Sequence, residues 1–276
     1  IIPAPYWVSY PDMTILAGGI PVYIRAGAAQ QFKIMPEQLA AAITDKTRLL
    51  VLNSPSNPTG MAYTRAELEA LGDVLRQYPN ILVATDDMYE HILWSDEPFC
   101  NILMACPDLY DQTMVLNGVS KAYSMTGWRI GYAGGPADII RSMKKIQSQS
   151  TSNPTSISQA AAVAALNGPQ DAIGTMLKAF RERHDYVVER LNGMKGIECL
   201  PTDGTFYVFP NIEGMIEATE GVSNDLEMGE YLIENAGVAV VPGSAFGLGG
   251  HMRISIATGM DALEKALDRI EKVVNG

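Results

Sequence analysis

Apolar runs alternate with amphipathic segments along the first two-thirds of the chain, a pattern that predicts strands separated by helices. Continuous apolar runs predict strands at TRLLVLN, NILVATDD, QTMVLNG and WRIGYAGG. Runs without polar alternation are typical of strands that are buried on both faces. Between the first two, TRAELEALGDVLRQY has helical periodicity, with Thr64 and Glu67 at the spacing of a capping box. This order predicts βαβ units around a mostly parallel sheet with helices on both faces.

Helical patterns dominate the middle of the chain, and short strand patterns return after them. Helices are predicted at PADIIRSMKKIQSQS, at SISQAAAVAALNG and over residues 170–191. Later we expect a β-hairpin at GIECLPTDGTFYVFPNI, a helix at DLEMGEYLIENAG that ends at Gly237, strands at VAVVPG and HMRISIAT, and a helix at GMDALEKALDRIEKVV. We therefore predict an α/β protein with a large domain over residues 1–180 and a smaller α+β domain over residues 181–276.

Composition and charge narrow the classes of protein to which this chain can belong. Hydrophobic residues make up 47% and charged residues 18%, a balance typical of globular proteins. The net charge of -11, without a basic stripe, argues against a nucleic-acid binder. Three cysteines without metal-like spacing predict reduced thiols and a cytoplasmic protein. The opening IIPAPYW looks like the end of a buried strand, so we expect the sequence to be the C-terminal part of a longer chain.

Polar residues that follow the predicted strands are the first candidates for chemistry, because ligands of open α/β sheets bind where the strands end. Lys121 follows QTMVLNG among small residues. It is either an amine with a lowered pKa that attacks carbonyl groups or a surface lysine with a packed stem. Asp86 follows NILVAT, where a carboxylate needs a cation or strong donor unless it caps a helix. Asp87 competes for either role, and Tyr89 lies on the same rim or packs as an ordinary half-buried residue.

Two arginines and one asparagine complete the set of candidates. Arg129 follows Gly-Trp and opens a strand, and its guanidinium suits phosphate or carboxylate oxygens. Arg253 alternates with apolar residues in HMRISIAT, so its side chain points away from them, either into a site or into solvent. Asn57 lies in the turn segment SPSNPTG, where it either forms the turn or contacts a ligand. Each of these signals is weak by itself.

Taken together, the motifs resemble those of one known family. The segment GVSKAYSMTGWRIG (118–131) resembles the cofactor-lysine motif of class I aminotransferases, the pyridoxal-phosphate enzymes of fold type one. NPTG, DDMYE, SK and the two arginines follow in the family's order, and PYWVSYPDM and GVAVVPGSAFG are similar to its bacterial aspartate-type subgroup. The resemblance covers essentially the whole chain. It implies a mostly parallel sheet of the seven-stranded type and a homodimer with the active site at the subunit interface.

The resemblance implies catalytic roles for the residues around the cofactor ring. Lys121 would bond the aldehyde of pyridoxal 5'-phosphate and later act as the acid and base that moves the proton at the substrate carbon. Asp86 would pair with the ring nitrogen and keep it protonated, so that the ring withdraws electrons. Tyr89 and Asn57 would donate hydrogen bonds to the 3-oxygen of the ring, and Asn57 would also face the substrate.

Other residues are implied to hold the cofactor phosphate and the substrate. Arg129 would bind the phosphate, Trp7 would stack over the ring beside the substrate, and Arg253 would bind the substrate's α-carboxylate. The position that often carries a phosphate-binding serine in the family is Gly118 here, which leaves Ser120 as a substitute. Family members also carry a further segment, with a phosphate-binding loop, before the stretch that corresponds to IIPAPYW.

The predicted function is therefore transamination. An amino group would move between an L-amino acid, with aspartate favoured and aromatic amino acids next, and a 2-oxo acid such as 2-oxoglutarate. A lyase or synthase on the same fold stays open as an alternative, because the cofactor supplies the electron sink in all these reactions. A catalytically silent, truncated remnant is the second alternative. We expect no metal, nucleic-acid or membrane partner.

Overall fold

The computed structural model of the protein describes residues 1–275 and begins with a small parallel ribbon. The first elements are strand β1 (Ile2–Ala4), helix α1 (Ser9–Leu16), strand β2 (Tyr23–Arg25) and helix α2 (Pro36–Ala42). The two strands pair in parallel. The backbone amide of Val51 donates to the carbonyl of Ile1 at 3.1 Å, so the ribbon lies beside the main sheet that follows.

Four strands of the described residues form the main sheet. They are β3 (Leu49–Asn53), β4 (Leu82–Asp86), β5 (Thr113–Gly118) and β6 (Gly131–Gly134). The first three are parallel neighbours, and β6 is antiparallel to β5. Because β3 and β4 are parallel and in register, Asn53 lies opposite Asp86 where both strands end.

Helices connect and follow these strands as the sequence pattern predicts. They are α3 (Arg65–Leu75), α4 (Ile102–Ala105), α5 (Ala137–Ser150), α6 (Ser156–Asn167) and α7 (Asp171–Asn192). The predicted capping box at the start of α3 is confirmed, since the Thr64 hydroxyl accepts from the Glu67 amide at 3.2 Å and the Glu67 carboxylate accepts from the Thr64 amide at 2.8 Å. None of the helices in residues 1–275 has both the length and the apolar character needed to cross a membrane.

The chain beyond α7 forms a small antiparallel sheet with helices packed against it. Its elements are β7 (Tyr207–Val208), α8 (Glu213–Ala218), α9 (Asp225–Ala236), β8 (Val241–Pro242), β9 (Met252–Ser255) and α10 (Met260–Asn275). Strand β9 is central and pairs with both β7 and β8. Gly237 ends α9 as predicted, with a φ of 62°. Glycine adopts this left-handed conformation without steric strain.

The predicted β-hairpin over residues 196–212 is present only as a single antiparallel bridge between its ends. An isolated antiparallel bridge joins Glu198 to Asn211, but β7 pairs with β9 instead of with the earlier half of this segment. The Asn192 side chain bonds both the amide and the carbonyl of Cys199, at 2.8 and 2.9 Å, and so holds the earlier half without a neighbouring strand. Alternation of apolar residues predicts an extended backbone but does not identify its partner.

Two large hydrophobic clusters meet at the loop that follows β4. One packs α2 and α3 against the main sheet. The other packs α7, α9 and α10 against β7 and β9, and it includes Tyr89 and Ile92 from that loop. The Thr205 amide also donates to the Ile92 carbonyl at 2.7 Å. The loop therefore ties the end of β4 to the closing part of the chain. The predicted domain boundary between residues 180 and 181 falls inside α7 and stays a prediction.

The predicted α/β class is confirmed, since a mixed sheet of parallel and antiparallel strands is combined with helices throughout the described residues. Those residues supply four strands to the main sheet, fewer than the seven-stranded type implied by the resemblance. The sequence has four long apolar runs before α5, and these pair in the main sheet. The ribbon of β1 and β2 joins that sheet through hydrogen bonds between Ile1 and β3.

Candidate active site

A cavity of about 350 Å³ lies where β3, β4 and β5 end, between the main sheet and the closing part of the chain. Parallel strands that end together leave their polar side chains at one edge, which explains why the cavity forms here. Six of the eight residues predicted for the site line this cavity: Trp7, Asn57, Asp86, Tyr89, Lys121 and Arg253. The structure thus brings together side chains that are as far apart in sequence as residues 7 and 253.

Lys121 lies in the turn just after β5 and is half-buried beside aromatic rings. Its Nζ is 5.7 Å from the ring centroid of Phe206 and 6.0 Å from that of Tyr89. Burial lowers the pKa of the amine, the positive charges of Arg253 and Arg129 lower it further, and the charge of Asp86 partly opposes them. The neutral, nucleophilic form of the amine is therefore easier to reach than in an exposed lysine.

Asp86 is the last residue of β4, and its carboxylate is held by two donors. The Tyr10 hydroxyl donates to Oδ2 and the Met88 amide donates to Oδ1 at 3.3 Å. Burial raises the pKa of the carboxyl group, whereas the Tyr10 hydrogen bond, the Met88 amide and the charge of Lys121 lower it. A cation placed in the cavity would stabilise the charged form of Asp86.

Asp87, the competing carboxylate, does not line this cavity. It is 1% exposed, and its oxygens accept hydrogen bonds from the Thr85 hydroxyl, at 2.6 Å, and from the Asn101 amide. Burial raises the pKa of Asp87 to about 7. The alternation of side chains at the end of β4 thus gives Asp86 to the cavity and Asp87 to the interior.

Arg253 in β9 is fixed on three sides. Its Nη1 donates to Asn57 Oδ1 at 2.8 Å, and its Cζ lies 4.3 Å from the ring centroid of Tyr207 and 4.8 Å from that of Phe246. Its Nε is buried and has no hydrogen-bond partner within residues 1–275. The backbone at Asn57 is held in turn, since its backbone amide donates to the side-chain Oδ1 of Asn53 at 2.8 Å. The guanidinium is therefore preorganised for an anion in the cavity.

Tyr89 and Trp7 both form part of the cavity wall. Tyr89 is 4% exposed, and its hydroxyl donates to the Tyr207 hydroxyl at 3.3 Å. Burial raises the pKa of Tyr89, and the nearby Tyr207 raises it further. Tyr89 therefore keeps its proton. Trp7 is partly exposed and contacts Tyr10 edge-on, with ring centroids 5.3 Å apart.

Arg129 and Ser120 are not among the residues that line the cavity. Arg129 is exposed, and its Nη1 donates to the Thr126 carbonyl at 3.0 Å, although its charge is near enough to lower the pKa of Lys121. A Cβ added at Gly118 would lie 3.1 Å from Met88 Cε and 3.2 Å from the Gly131 Cα. Close packing between β5 and β6 thus explains why glycine stands at this position.

A family model described as "Aminotransferase class I and II" matches residues 1–270. The chain belongs to the class I and II aminotransferase family. The resemblance inferred from GVSKAYSMTGWRIG is therefore confirmed, and the protein is an aminotransferase.

Named relatives are similar to this aminotransferase over nearly its whole length. It is 57% identical over 280 residues to the aspartate/prephenate aminotransferase of Nitrosomonas europaea, covering 100% of this chain and 70% of the relative. The crystal structure of the Rhizobium meliloti aspartate aminotransferase is 46% identical and aligns with a TM-score of 0.95, over 99% of this chain and 70% of that one. A structure of Thermus thermophilus aspartate aminotransferase with maleate is 38% identical, with a TM-score of 0.89 over 99% and 69% of the two chains.

Sequence reasoning missed three residues that shape the cavity of this aminotransferase. Tyr10 lies in the first turn of α1, and its hydroxyl contacts Asp86, which is far away in the sequence, so no local pattern marked it. Asn53 is the last residue of TRLLVLN and so stood at a strand end, the position that marked the other candidates. No local sequence pattern marked Tyr207 as a site residue. It lies beside Arg253 only because β7 pairs with β9, which is distant in the sequence.

Proposed function

We propose that this aminotransferase binds pyridoxal 5'-phosphate and moves an amino group between an L-amino acid and a 2-oxo acid. The observation that carries the proposal is the convergence of Lys121, Asp86 and Arg253 in one cavity. When bound, the cofactor supplies an aldehyde for the amino group and a ring that withdraws electrons from the substrate carbon. The three side chains match the aldehyde, the ring nitrogen and the substrate carboxylate.

The cavity fits this group in size and in chemistry. Its volume of about 350 Å³ lies within the range of roughly 300–1,000 Å³ for small-molecule sites. Arg253 has a buried Nε without a hydrogen-bond partner in the described residues, beside an anion-binding face. Lys121 has a lowered pKa, and Asp86 has a raised one that a cation would reverse. An uncharged or purely apolar ligand would leave these charges uncompensated.

Lys121 is proposed to bond the cofactor and then to hold and move the proton at the substrate carbon. Burial favours its neutral amine, and the amine nitrogen lies near the aromatic rings of Phe206 and Tyr89. Asp86 is proposed to hold a proton on the ring nitrogen, which requires Asp86 itself to be charged. The Tyr10 hydroxyl favours that charged form by donating to it.

The remaining lining residues are proposed to orient the ring and the substrate. The Arg253 guanidinium binds the α-carboxylate, and Asn57 fixes its direction through the 2.8 Å hydrogen bond. Tyr89 and Asn57, which line the cavity, would donate hydrogen bonds to the 3-oxygen of the ring, and Trp7 would stack over the ring. Holding the ring and the substrate in fixed positions favours reaction, because the entropy cost of aligning them is met on binding and not in the chemical step.

Arg129 and Ser120 are proposed to bind the phosphate. Arg129 is exposed, so a phosphate reaches it without displacing a buried partner. Its effect on the pKa of Lys121 supports a position within range of a ligand bonded to that lysine. Ser120 lies next to Lys121 in the same turn. A dianionic phosphate beside the guanidinium would gain charge-assisted hydrogen bonds.

Aspartate and 2-oxoglutarate are the proposed substrate pair. The Nitrosomonas europaea relative is named for aspartate and prephenate, and the Thermus thermophilus structure is of an aspartate aminotransferase with maleate, a dicarboxylate. Aromatic amino acids are proposed as further donors, because Trp7, Tyr207 and Phe246 give the cavity an aromatic wall. A homodimer and a cytoplasmic location are also proposed. Exposed Leu16 and Ile20 support contact with another chain.

The test combines spectroscopy with turnover. Purified protein mixed with pyridoxal 5'-phosphate is expected to show a near-ultraviolet or visible absorbance band distinct from that of the free cofactor. With aspartate and 2-oxoglutarate it is expected to form oxaloacetate and glutamate in equal amounts. Release of ammonia and pyruvate from a β-substituted amino acid such as serine, without any need for an oxo acid, would instead support a lyase. A protein with neither band nor turnover would contradict the proposal, and sedimentation of the same sample measures its oligomeric state.

A further inference from the structure

Tyr207 contacts two residues of the candidate site that serve different ligands. It lies in β7, is buried and lines the cavity. Its hydroxyl is 3.3 Å from the hydroxyl of Tyr89, within hydrogen-bond range. Its ring lies against the guanidinium of Arg253, with 4.3 Å between the ring centroid and Cζ. A single side chain therefore touches both the proposed partner of the ring 3-oxygen and the proposed carboxylate clamp.

We propose that Tyr207 is a positioning residue that couples Arg253 to Tyr89. Through its hydroxyl it strengthens the hydrogen bond that Tyr89 donates to the cofactor, and through its ring it fixes the plane of the Arg253 guanidinium. The inference rests on the proposed function, since it concerns the groups that Tyr89 and Arg253 would bind there.

The hydroxyl contact acts on the donor strength of Tyr89. In the structure, Tyr89 donates to Tyr207. A phenol both donates and accepts, so when Tyr89 donates to an oxygen in the cavity, Tyr207 turns and donates to Tyr89. A hydroxyl that accepts a hydrogen bond is polarised and donates more strongly. Burial raises the pKa of Tyr89, which keeps the proton on it for this purpose.

The ring contact acts on the orientation of Arg253. Its guanidinium lies near two aromatic rings, those of Tyr207 at 4.3 Å and Phe246 at 4.8 Å. Contact with the ring face attracts the cation and substitutes in part for the hydrogen bond that Nε lacks in the described residues. Since a paired contact with a carboxylate needs a fixed guanidinium plane, the ring of Tyr207 prepares Arg253 for the substrate.

Two substitutions separate the hydroxyl from the ring. Tyr207→Phe removes only the hydroxyl, and its readout is the pH midpoint of the absorbance band of the cofactor in the holoenzyme. Weaker donation to the 3-oxygen leaves the nitrogen bound at Lys121 more basic, so the midpoint should rise by about 0.5 pH unit. In a Tyr89→Phe background the same change should leave the midpoint unaltered. An unchanged midpoint in the wild-type background, or an equal rise in both, would overturn the hydroxyl link.

Tyr207→Leu removes the ring as well. Compared with Tyr207→Phe, it is expected to raise KM for the amino acid by about 5- to 10-fold, with a smaller change in kcat, because ground-state binding of the carboxylate is lost. Equal KM values in the two variants would overturn the ring contact.

A matched control is Tyr186→Phe. The Tyr186 hydroxyl accepts from Arg190 at 2.7 Å and its ring lies 5.7 Å from Arg190 Cζ, and it is not a cavity-lining residue. This variant is expected to change neither midpoint nor KM, and a change equal to that of Tyr207→Phe would overturn the assignment. A wild-type protein that forms no cofactor band would refute the proposed function itself, and the role of Tyr207 with it.

Discussion

Within the described residues, buried polar side chains outside the cavity are paired with protein atoms except at His251 Nε2, whereas several of those that line the cavity keep capacity for a ligand. Lys33 and Lys121 show the difference for cations. Lys33 is 8% exposed and forms an ion pair with Glu67 at 2.7 Å. Lys121 is half-buried beside aromatic rings, and within the described residues it has no carboxylate at ion-pair distance. Burial without an ion-pair partner lowers the pKa of Lys121, so it is the lysine prepared for chemistry.

Asp86 and Asp87 show the same difference for carboxylates. They are consecutive in sequence, yet Asp86 lines the cavity and Asp87 is enclosed by the side chains of Thr85 and Asn101. The comparison teaches that neither burial nor residue type separates a catalytic group from a structural one. The separating feature is whether the side chain borders the cavity, since both carboxylates accept two hydrogen bonds from the protein.

The two lysines give the largest expected contrast. Lys121→Ala removes the proposed acid and base and should reduce turnover at least about 10²- to 10⁴-fold while the protein stays folded. Lys33→Met should leave turnover within a few-fold but reduce the unfolding free energy by about 1–2 kcal/mol, because Glu67 is partly solvated. Steady-state kinetics and urea unfolding of both variants measure this contrast. Equal losses of turnover in the two variants would contradict the different roles assigned to Lys121 and Lys33.

The two aspartates give the next largest contrast. Asp86→Asn keeps the size of the side chain but removes the charge proposed to hold the ring nitrogen protonated, and kcat should fall about 10²- to 10³-fold. Asp87→Asn, on the other side of the strand, should change kcat by less than about 3-fold. The measurement is kcat at saturating substrate and cofactor. A larger loss of kcat in Asp87→Asn than in Asp86→Asn would show that Asp86 is not the carboxylate that serves the ring nitrogen.

Tyr10→Phe is expected to have a smaller effect, a change in the pKa of Asp86. The Tyr10 hydroxyl donates to Asp86 and lowers a carboxyl pKa that burial raises. Removal of this hydroxyl should therefore raise the pKa of Asp86 further, by about 0.5–1 pH unit. Carbon-13 NMR titration of the aspartate carboxyl groups in cofactor-free protein measures the shift. Tyr110→Phe, at an exposed tyrosine, is the control, and an unaltered Asp86 in Tyr10→Phe would contradict the account.

The smallest effect is expected at His184, a paired group outside the cavity. Its Nε2 accepts from the Thr202 amide at 2.9 Å, and burial lowers its pKa below the usual 6.5. Folding therefore favours the neutral ring, so its stability contribution is complete above pH 6.5 and is lost as the pH falls through the lowered pKa. Wild-type protein should lose unfolding free energy between pH 7 and pH 5, and His184→Gln should make that loss smaller by about 1 kcal/mol. Turnover should not change. Urea unfolding at both pH values, with exposed His91→Gln as control, measures it.

Local pattern predicted most of the strands and helices, because each is specified by residues that are close in sequence. The strand-end rule and the family motifs together predicted the six residues that meet in the cavity. The partner of the segment around Tyr207 was not predictable, since strand pairing between β7 and β9 depends on packing between distant parts of the chain. The placement of Arg129 outside the cavity lining was not predicted either, and its reason is local, since Arg129 has a left-handed φ of 52° in the turn before β6.

Orientation at the end of β4 was also beyond the sequence. The strand pattern alone left both Asp86 and Asp87 as candidates, and only the family motif favoured Asp86. Tyr10 reaches Asp86 from α1, while Asn101 reaches Asp87 from the start of α4. These contacts join residues far apart in the chain, so no local spacing records them.

The central claim is that Lys121 is the lysine to which the cofactor bonds, and chemical trapping tests it most directly. The holoprotein is reduced with borohydride and digested, and the peptides that carry the cofactor mass are identified by mass spectrometry. The account predicts one labelled lysine, Lys121, with none at the ion-paired Lys33 or at the exposed Lys144. Label at another lysine with Lys121 unmodified would contradict it.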